Sequence, residues 1–167
     1  ENSIMYLEQL QEDAPWQKLE RSDGTAKRST CWYVRQNCTC DYTYGSDRVR
    51  MQGQDEGCFA DLMEKLTKEV FHLARPDWPE EDFPNSANLN LYQNGSEAVG
   101  WHADDESLFA GKDDDCLIVS LSLGATREFW LAPRGESVGE ALRPDEDYLY
   151  GLELRNGDLM TMEGLVQ

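Results

Sequence analysis

The sequence predicts a mainly β fold of the α+β class, with helices at its front end and along one face, and three observations carry that prediction. Apolar residues recur at helical spacing in two stretches before Pro76. From Ala87 onward the apolar period changes to two, in short runs separated by turn residues. Between the two regimes, Pro76, Pro79 and Pro84 mark a surface crossing. Helices first and many short strands afterwards point to a sheet sandwich of jelly-roll type, buttressed by helices on one face.

The elements follow in order. Asn2 and Ser3 can cap a short helix running through Ile4, Leu7 and Leu10. A stronger helix spans about Cys58 to Arg75, where Phe59, Leu62, Met63, Leu66, Val70, Leu73 and Ala74 form an apolar stripe and Pro76 ends it. Six short strands then read as Ala87 to Gln93, Ala98 to His102, Cys116 to Leu123, Arg127 to Leu131, Tyr148 to Leu154 and Asp158 to Met162. Asn94-Gly95, Gly124, Pro133 to Gly135 and Asn156-Gly157 supply the turns. Arg134 to Tyr148, with Asp145, Glu146 and Asp147, reads as a long solvated connection.

Length and composition narrow the class further. A chain of 167 residues is one domain of ordinary size, and 40% apolar content with five Trp, seven Tyr and five Phe fills a core, which excludes wholesale disorder. No apolar run approaches the roughly 20 residues that cross a bilayer, and no signal-peptide pattern is present. The 15 basic and 33 acidic residues give a net charge of −18. From Lys18 to Arg50, however, seven basic residues face four acidic ones, a local +3 that leaves −21 on the remainder. An anionic body repels phosphate, so any nucleic-acid contact is expected in that one segment. Five cysteines without a framework spacing fit reduced intracellular thiols, and Cys38-x-Cys40 fits ordinary thiols near a loop better than zinc. The expected compartment is intracellular, nuclear or cytoplasmic.

Candidate chemistry concentrates in Asn90-Leu91-Tyr92 and in Gly100 to Glu106. With His102 at a strand end and Asp104 two residues on, an imidazole nitrogen and a carboxylate can converge on one ion. The same pair, taken alone, fits a surface histidine beside a solvated acidic run. Four stretches together are more specific. Asn90 to Glu106 (NLYQNGSEAVGWHADDE), Ile118 to Phe129 (IVSLSLGATREF) and Asn156 to Gln167 (NGDLMTMEGLVQ), preceded by Lys27 to Tyr33 (KRSTCWY) with Tyr42 to Tyr44 (YTY), occur in this order. In that order the chain resembles the AlkB family of iron and 2-oxoglutarate dependent dealkylating dioxygenases, closest to its eukaryotic nucleic-acid repair branch.

The resemblance implies a double-stranded β-helix dioxygenase in one domain: an N-terminal helical part (1–26), a nucleotide-recognition segment (27–57), a buttress helix (58–75) and a β-helix core (87–167). It implies Fe(II) held by His102 and Asp104, with 2-oxoglutarate and O2 as co-substrates. Asn90 and Tyr92 would bind 2-oxoglutarate, and no catalytic residue beyond the metal ligands is implied. Asp105 and Glu106 fall where the family places an acidic contact to the base, suited to an exocyclic amino group, although Asp105 fits a solvated acid equally well. Arg28 would hold a phosphate or base, and Tyr42 and Tyr44 would stack a flipped base or line the pocket mouth; either tyrosine also fits a half-buried strand position. The family's third ligand, a histidine, and its co-substrate arginine are expected beyond Gln167, so the fold is expected to be truncated at its C-terminal end, and His72 to be a helix-face residue. The implied activity is oxidative demethylation of N-alkylated bases in DNA or RNA, by a protein that is monomeric when complete. Two alternatives stay open: a non-catalytic nucleic-acid binding module on the same fold, and a dioxygenase acting on a protein or other small substrate.

Overall fold

The computed structural model describes residues 2–20, 26–35, 42–44, 47–49, 57–104, 107–109, 115–135, 143–164 and 166. Its regular elements are, in order, α1 (Ser3–Asp13), β1 (Gln17–Glu20), β2 (Ala26–Val34), β3 (Tyr42–Tyr44), β4 (Asp47–Val49), α2 (Cys58–Ala74), β5 (Ser86–Leu91), β6 (Ile118–Leu121), β7 (Arg127–Leu131), β8 (Tyr150–Leu154) and β9 (Leu159–Met162). Among the described residues the strands pair as β1-β2-β5, β3-β4, β6-β9 and β7-β8, and every pairing is antiparallel. None of the described helices is long and apolar enough to cross a membrane.

β2 organises the core. It is the middle strand of its sheet, and each residue from Thr30 to Val34 is at most 3% exposed. Cys31 and Tyr33 pack into a cluster with Tyr6, Leu10 and Ala14 from the α1 side and Phe59, Leu62, Met63 and Leu66 of α2. The Tyr6 hydroxyl donates to Glu69 Oε2 at 2.6 Å and ties the two helices together. β6 and β9 lie against α2, with Leu121 and Leu123 reaching the same cluster. The helices thus cover one face of the strands, as the order of elements predicts.

Several local expectations need correction. The inward line of α1 is Tyr6, Leu10 and then Ala14, one residue every four, which leaves Ile4 62% exposed. In α2 the last inward turn belongs to Phe71, packed on Trp78 and Phe83 at centroid distances of 6.3 and 5.5 Å. Leu73, about 200° further round the helix, is 77% exposed. Arg75 is out of the helical region at φ −141°, ψ 71°, since the following proline disfavours the α conformation for the residue before it. Asn2 makes no side-chain cap bond; its carbonyl accepts from Tyr6 N at 3.0 Å. The Ser3 hydroxyl instead accepts from Asn156 Nδ2 at 2.8 Å, while Asn156 Oδ1 accepts from Gly124 N at 2.9 Å. The Asn156-Gly157 turn, with Gly157 at φ +88°, therefore staples β9 both to the turn after β6 and to the start of α1.

Strand readings differ from the structure in several places: β2, β3 and β4 precede Ala87, ahead of the six expected strands. β1 lies inside the expected N-terminal helical part, and Ala98 to His102 is irregular rather than a strand. In that stretch and just before it, backbone carbonyls bond to side chains: those of Asn94 and Glu97 to Arg127, that of Gly100 to His102. The stem of the expected Arg134 to Tyr148 connection is closed by a bridge between Arg134 and Pro144.

Candidate active site

The register of β2 on β5 sets Thr30 opposite Asn90 and Trp32 opposite Asn88. Side chains alternate along a strand, so Arg28, Thr30 and Trp32 share with Asn88 and Asn90 the face turned away from Cys31, Tyr33 and the helices. Tyr92 continues this alternation one residue past β5. Arg28 is 5% exposed, and its Nε donates to Asn90 Oδ1 at 2.7 Å. With its oxygen engaged, the Asn90 amide is oriented so that its NH2 group is the outward donor. The Thr30 hydroxyl reaches the Leu89 carbonyl at 3.0 Å and Asn88 Oδ1 at 3.1 Å. Trp32 meets Phe109 edge-on at 6.1 Å. The face is a hydrogen-bonded polar patch set in a packed frame.

His102 and Asp104 converge although their segment is not a strand. His102 Nε2 lies 3.3 Å from Asp104 Oδ1, and about a third of each side chain is exposed. The other ring nitrogen, Nδ1, is 2.8 Å from the Gly100 carbonyl, a contact that only an N–H satisfies. The neutral ring then carries its lone pair on Nε2, directed at a carboxylate oxygen. Two acceptors at that distance need a proton or a cation between them. The hydrogen bond to Asp104 raises the His102 pKa above its ordinary value, while burial and the charge of Arg28 work against protonation.

A divalent ion of the iron class fits this arrangement in its donor chemistry. One imidazole and one carboxylate belong to the set such ions take with open positions for small ligands. The carbonyl behind Nδ1 is the partner that metal-bound histidines use to fix their orientation. Among the described residues, no third His, Cys, Asp or Glu joins the pair.

Tyr92 completes the neighbourhood. Burial pushes its hydroxyl pKa up, and the positive charges of Arg28 and Arg127 pull it back. The Arg28 charge is felt by both Tyr92 and His102. The structure therefore brings together Arg28, Asn90, Tyr92, His102 and Asp104. It keeps His72 away, on α2 with Nε2 3.1 Å from Glu80 Oε1. Tyr42 and Tyr44 lie on β3, but their side chains lie outside the described residues, as do Asp105 and Glu106 entirely.

Two supporting residues were not singled out by sequence reasoning. Arg127 lies with its guanidinium carbon 4.5 Å from the Tyr92 ring centroid. Glu97 is 5% exposed and accepts from Gln93 N at 2.6 Å. Arg127 sits inside the matched stretch Ile118 to Phe129, which was a signal of place without a role. Glu97, one more acid in an acidic chain, carried no signal.

Comparison with known proteins adds an independent line. A family model described as 2OG-Fe(II) oxygenase superfamily matches residues 1–167. Alpha-ketoglutarate-dependent dioxygenase alkB homolog 3 of Homo sapiens is 31% identical over 171 residues, covering 96% of this chain and 51% of that protein. The Bos taurus protein of the same name aligns with the same identity and coverage. DNA oxidative demethylase ALKBH2 of Arabidopsis thaliana is 26% identical over 184 residues, 100% of this chain and 55% of its own length. The chain thus spans about half the length of these relatives. A family match over the whole chain, and relatives aligned along nearly all of it, establish that the chain belongs to the 2OG-Fe(II) oxygenase superfamily and, within it, to the AlkB family.

Proposed function

We propose that this chain is the catalytic core of an Fe(II)- and 2-oxoglutarate-dependent demethylase of N-alkylated nucleobases in DNA or RNA, built on a double-stranded β-helix to which β5 to β9 contribute. The observation that carries the reading is the pairing of His102 with Asp104 near an arginine, Arg28, that holds Asn90 and is felt by both Tyr92 and His102. In this reading His102 and Asp104 hold the iron, together with a third donor that the family pattern assigns to a histidine beyond Gln167. When bound, iron, 2-oxoglutarate and O2 supply the oxidising power that hydroxylates an N-methyl carbon, after which formaldehyde is lost.

The chain's own residues bind and orient. Asn90, its amide fixed by Arg28, donates to a co-substrate carboxylate, and so does the Tyr92 hydroxyl, which burial keeps protonated. The Gly100 carbonyl holds the imidazole of His102 in one tautomer. Trp32 and Phe109 pack edge-on beside the polar patch. Arg28, Tyr42, Tyr44, Asp105 and Glu106 remain the proposed substrate contacts. Holding reactants in a fixed geometry is the protein's main share of such chemistry.

The test is turnover of 2-oxoglutarate by the full-length protein with Fe(II), stimulated by oligonucleotides carrying N1-methyladenine or N3-methylcytosine. Formaldehyde released in step with 2-oxoglutarate consumed supports the proposal. Oligonucleotide binding without turnover would instead favour a non-catalytic module, and turnover that no nucleic acid stimulates would favour a protein or small-molecule substrate.

A further inference from the structure

We propose that Arg127 is a positioning residue for the co-substrate pocket, acting through Tyr92 and the turn that follows it. The inference rests on the reading of Tyr92 as a co-substrate contact and adds to it the device that holds Tyr92 in place.

The last paired residues of β2 and β5 are Ser29 and Leu91. Tyr92 is one residue beyond, where the ladder no longer fixes the backbone, so its orientation depends on what holds residues 93–97. Glu97 fastens this turn from inside: its Oε2 accepts from Gln93 N at 2.6 Å, and its own N–H donates to the Asn94 carbonyl at 3.3 Å. Arg127 fastens it from outside. At the first position of β7, opposite Leu154, it donates through Nη2 to the Glu97 carbonyl at 2.5 Å and through Nη1 to the Asn94 carbonyl at 3.4 Å. The same guanidinium lies 4.5 Å from the Tyr92 ring centroid. One planar cation thus links two turn carbonyls and an aromatic face, a combination that lysine reproduces only in charge. The β7-β8 ladder becomes the anchor of a side chain that β5 carries but does not hold.

The experiment compares the full-length protein with Arg127→Gln, Arg127→Lys, Tyr92→Phe and the double variant Arg127→Gln/Tyr92→Phe. Mn(II) replaces iron, and 2-oxoglutarate is titrated by tryptophan fluorescence. Arg127→Gln should weaken 2-oxoglutarate binding by roughly tenfold, the scale of a desolvated cation over a ring. Arg127→Lys should recover part of the loss. Under Fe(II) turnover the change should fall mainly on KM for 2-oxoglutarate. Because Arg127 acts through Tyr92, the double variant should bind no more weakly than the weaker single variant. Unchanged affinity in Arg127→Gln, or losses that multiply in the double variant, would overturn the proposal.

A second readout needs neither metal nor co-substrate. The ultraviolet titration of Tyr92, taken as the difference between each protein and its Tyr92→Phe counterpart, should move to higher pH in Arg127→Gln. An unmoved midpoint overturns the contact itself. If the midpoint moves while Tyr92→Phe leaves 2-oxoglutarate affinity unchanged, the contact stands, but the co-substrate reading of Tyr92, and this proposal with it, falls.

Discussion

His102 and Asp104 face each other with an acceptor on each side, and that contact dictates what removing either one does. His102→Ala or Asp104→Ala in the full-length protein should lower Fe(II)-dependent 2-oxoglutarate turnover by more than about a hundredfold, beyond the loss typical of a residue that only supports a ligand. Both side chains are partly exposed, so thermal melts should stay close to the parent, as for ordinary surface changes within about 0.5 kcal/mol. Retained turnover in either variant would reject the metal assignment. Arg28→Met leaves Asn90 Oδ1 without the donor now 2.7 Å away; because Asn90 is exposed, water replaces that donor and the loss should be about 1 kcal/mol, the net worth of one hydrogen bond. It should also weaken 2-oxoglutarate binding more than Leu66→Ala, a core change that costs more stability, about 2–5 kcal/mol; equal weakening would reduce Arg28 to a packing residue. At this scale the sequence made legible the contact of His102 with Asp104 and the shared side of Asn90 and Tyr92, where a motif tied residues to spacing; their proposed roles await the tests above. Arg127 and Glu97 were not legible, because their partners are backbone groups and an aromatic face brought together only by the turn, and no residue spacing encodes such partners.

At the scale of elements, α2 was legible to within a residue at its C-terminal end, since an apolar stripe and Pro76 constrain the same boundary. β7 was legible at both ends, where alternation runs between turn signals. β2 was not read as a strand because both of its faces are covered: from Thr30 to Val34 every residue is buried, so the period-two signal of a half-exposed strand is missing. Ala98 to His102 misled for the opposite reason, its local pattern being overruled by side chains that take the nearby carbonyls. The Asn156 staple offers the test at this scale. Asn156→Ala removes the acceptor for Gly124 N and the donor to Ser3 Oγ, and should lower unfolding free energy by about 1–2 kcal/mol in urea melts. An unchanged urea midpoint would show that the turn is held by its backbone bonds alone.

For the whole molecule, the net charge of −18 and the basic stretch from Lys18 to Arg50 predict where the proposed nucleic-acid substrate would be met. Neutralising Arg21, Lys27 or Arg48 should weaken oligonucleotide binding and lower the slope of log affinity against log salt by about 0.7 for each single-strand phosphate that the protein ceases to engage. An unaffected slope would place the interface elsewhere. Alkaline stability is a second property of the whole fold. Burial, together with the nearby Glu64, raises the Tyr33 pKa above the 10.0 of a free side chain. A group whose pKa is raised on folding keeps its proton longer in the native state, so its contribution is intact below about pH 10 and is lost as pH climbs through the folded value. Tyr33→Phe should remove that share of the alkaline decline, measured as urea midpoints at neutral and alkaline pH; an unchanged decline would assign it to other groups. The pairing of Ser29 with Leu91 also has a consequence for how the chain is made. A ribosome delivers Arg28, Trp32 and Val34 long before their partners on β5, and at about 5–20 residues per second the interval lasts several seconds. During it the most thoroughly buried strand of the finished protein has one neighbour at most, so newborn chains should be most exposed to chaperones and to mispairing before Leu91 emerges.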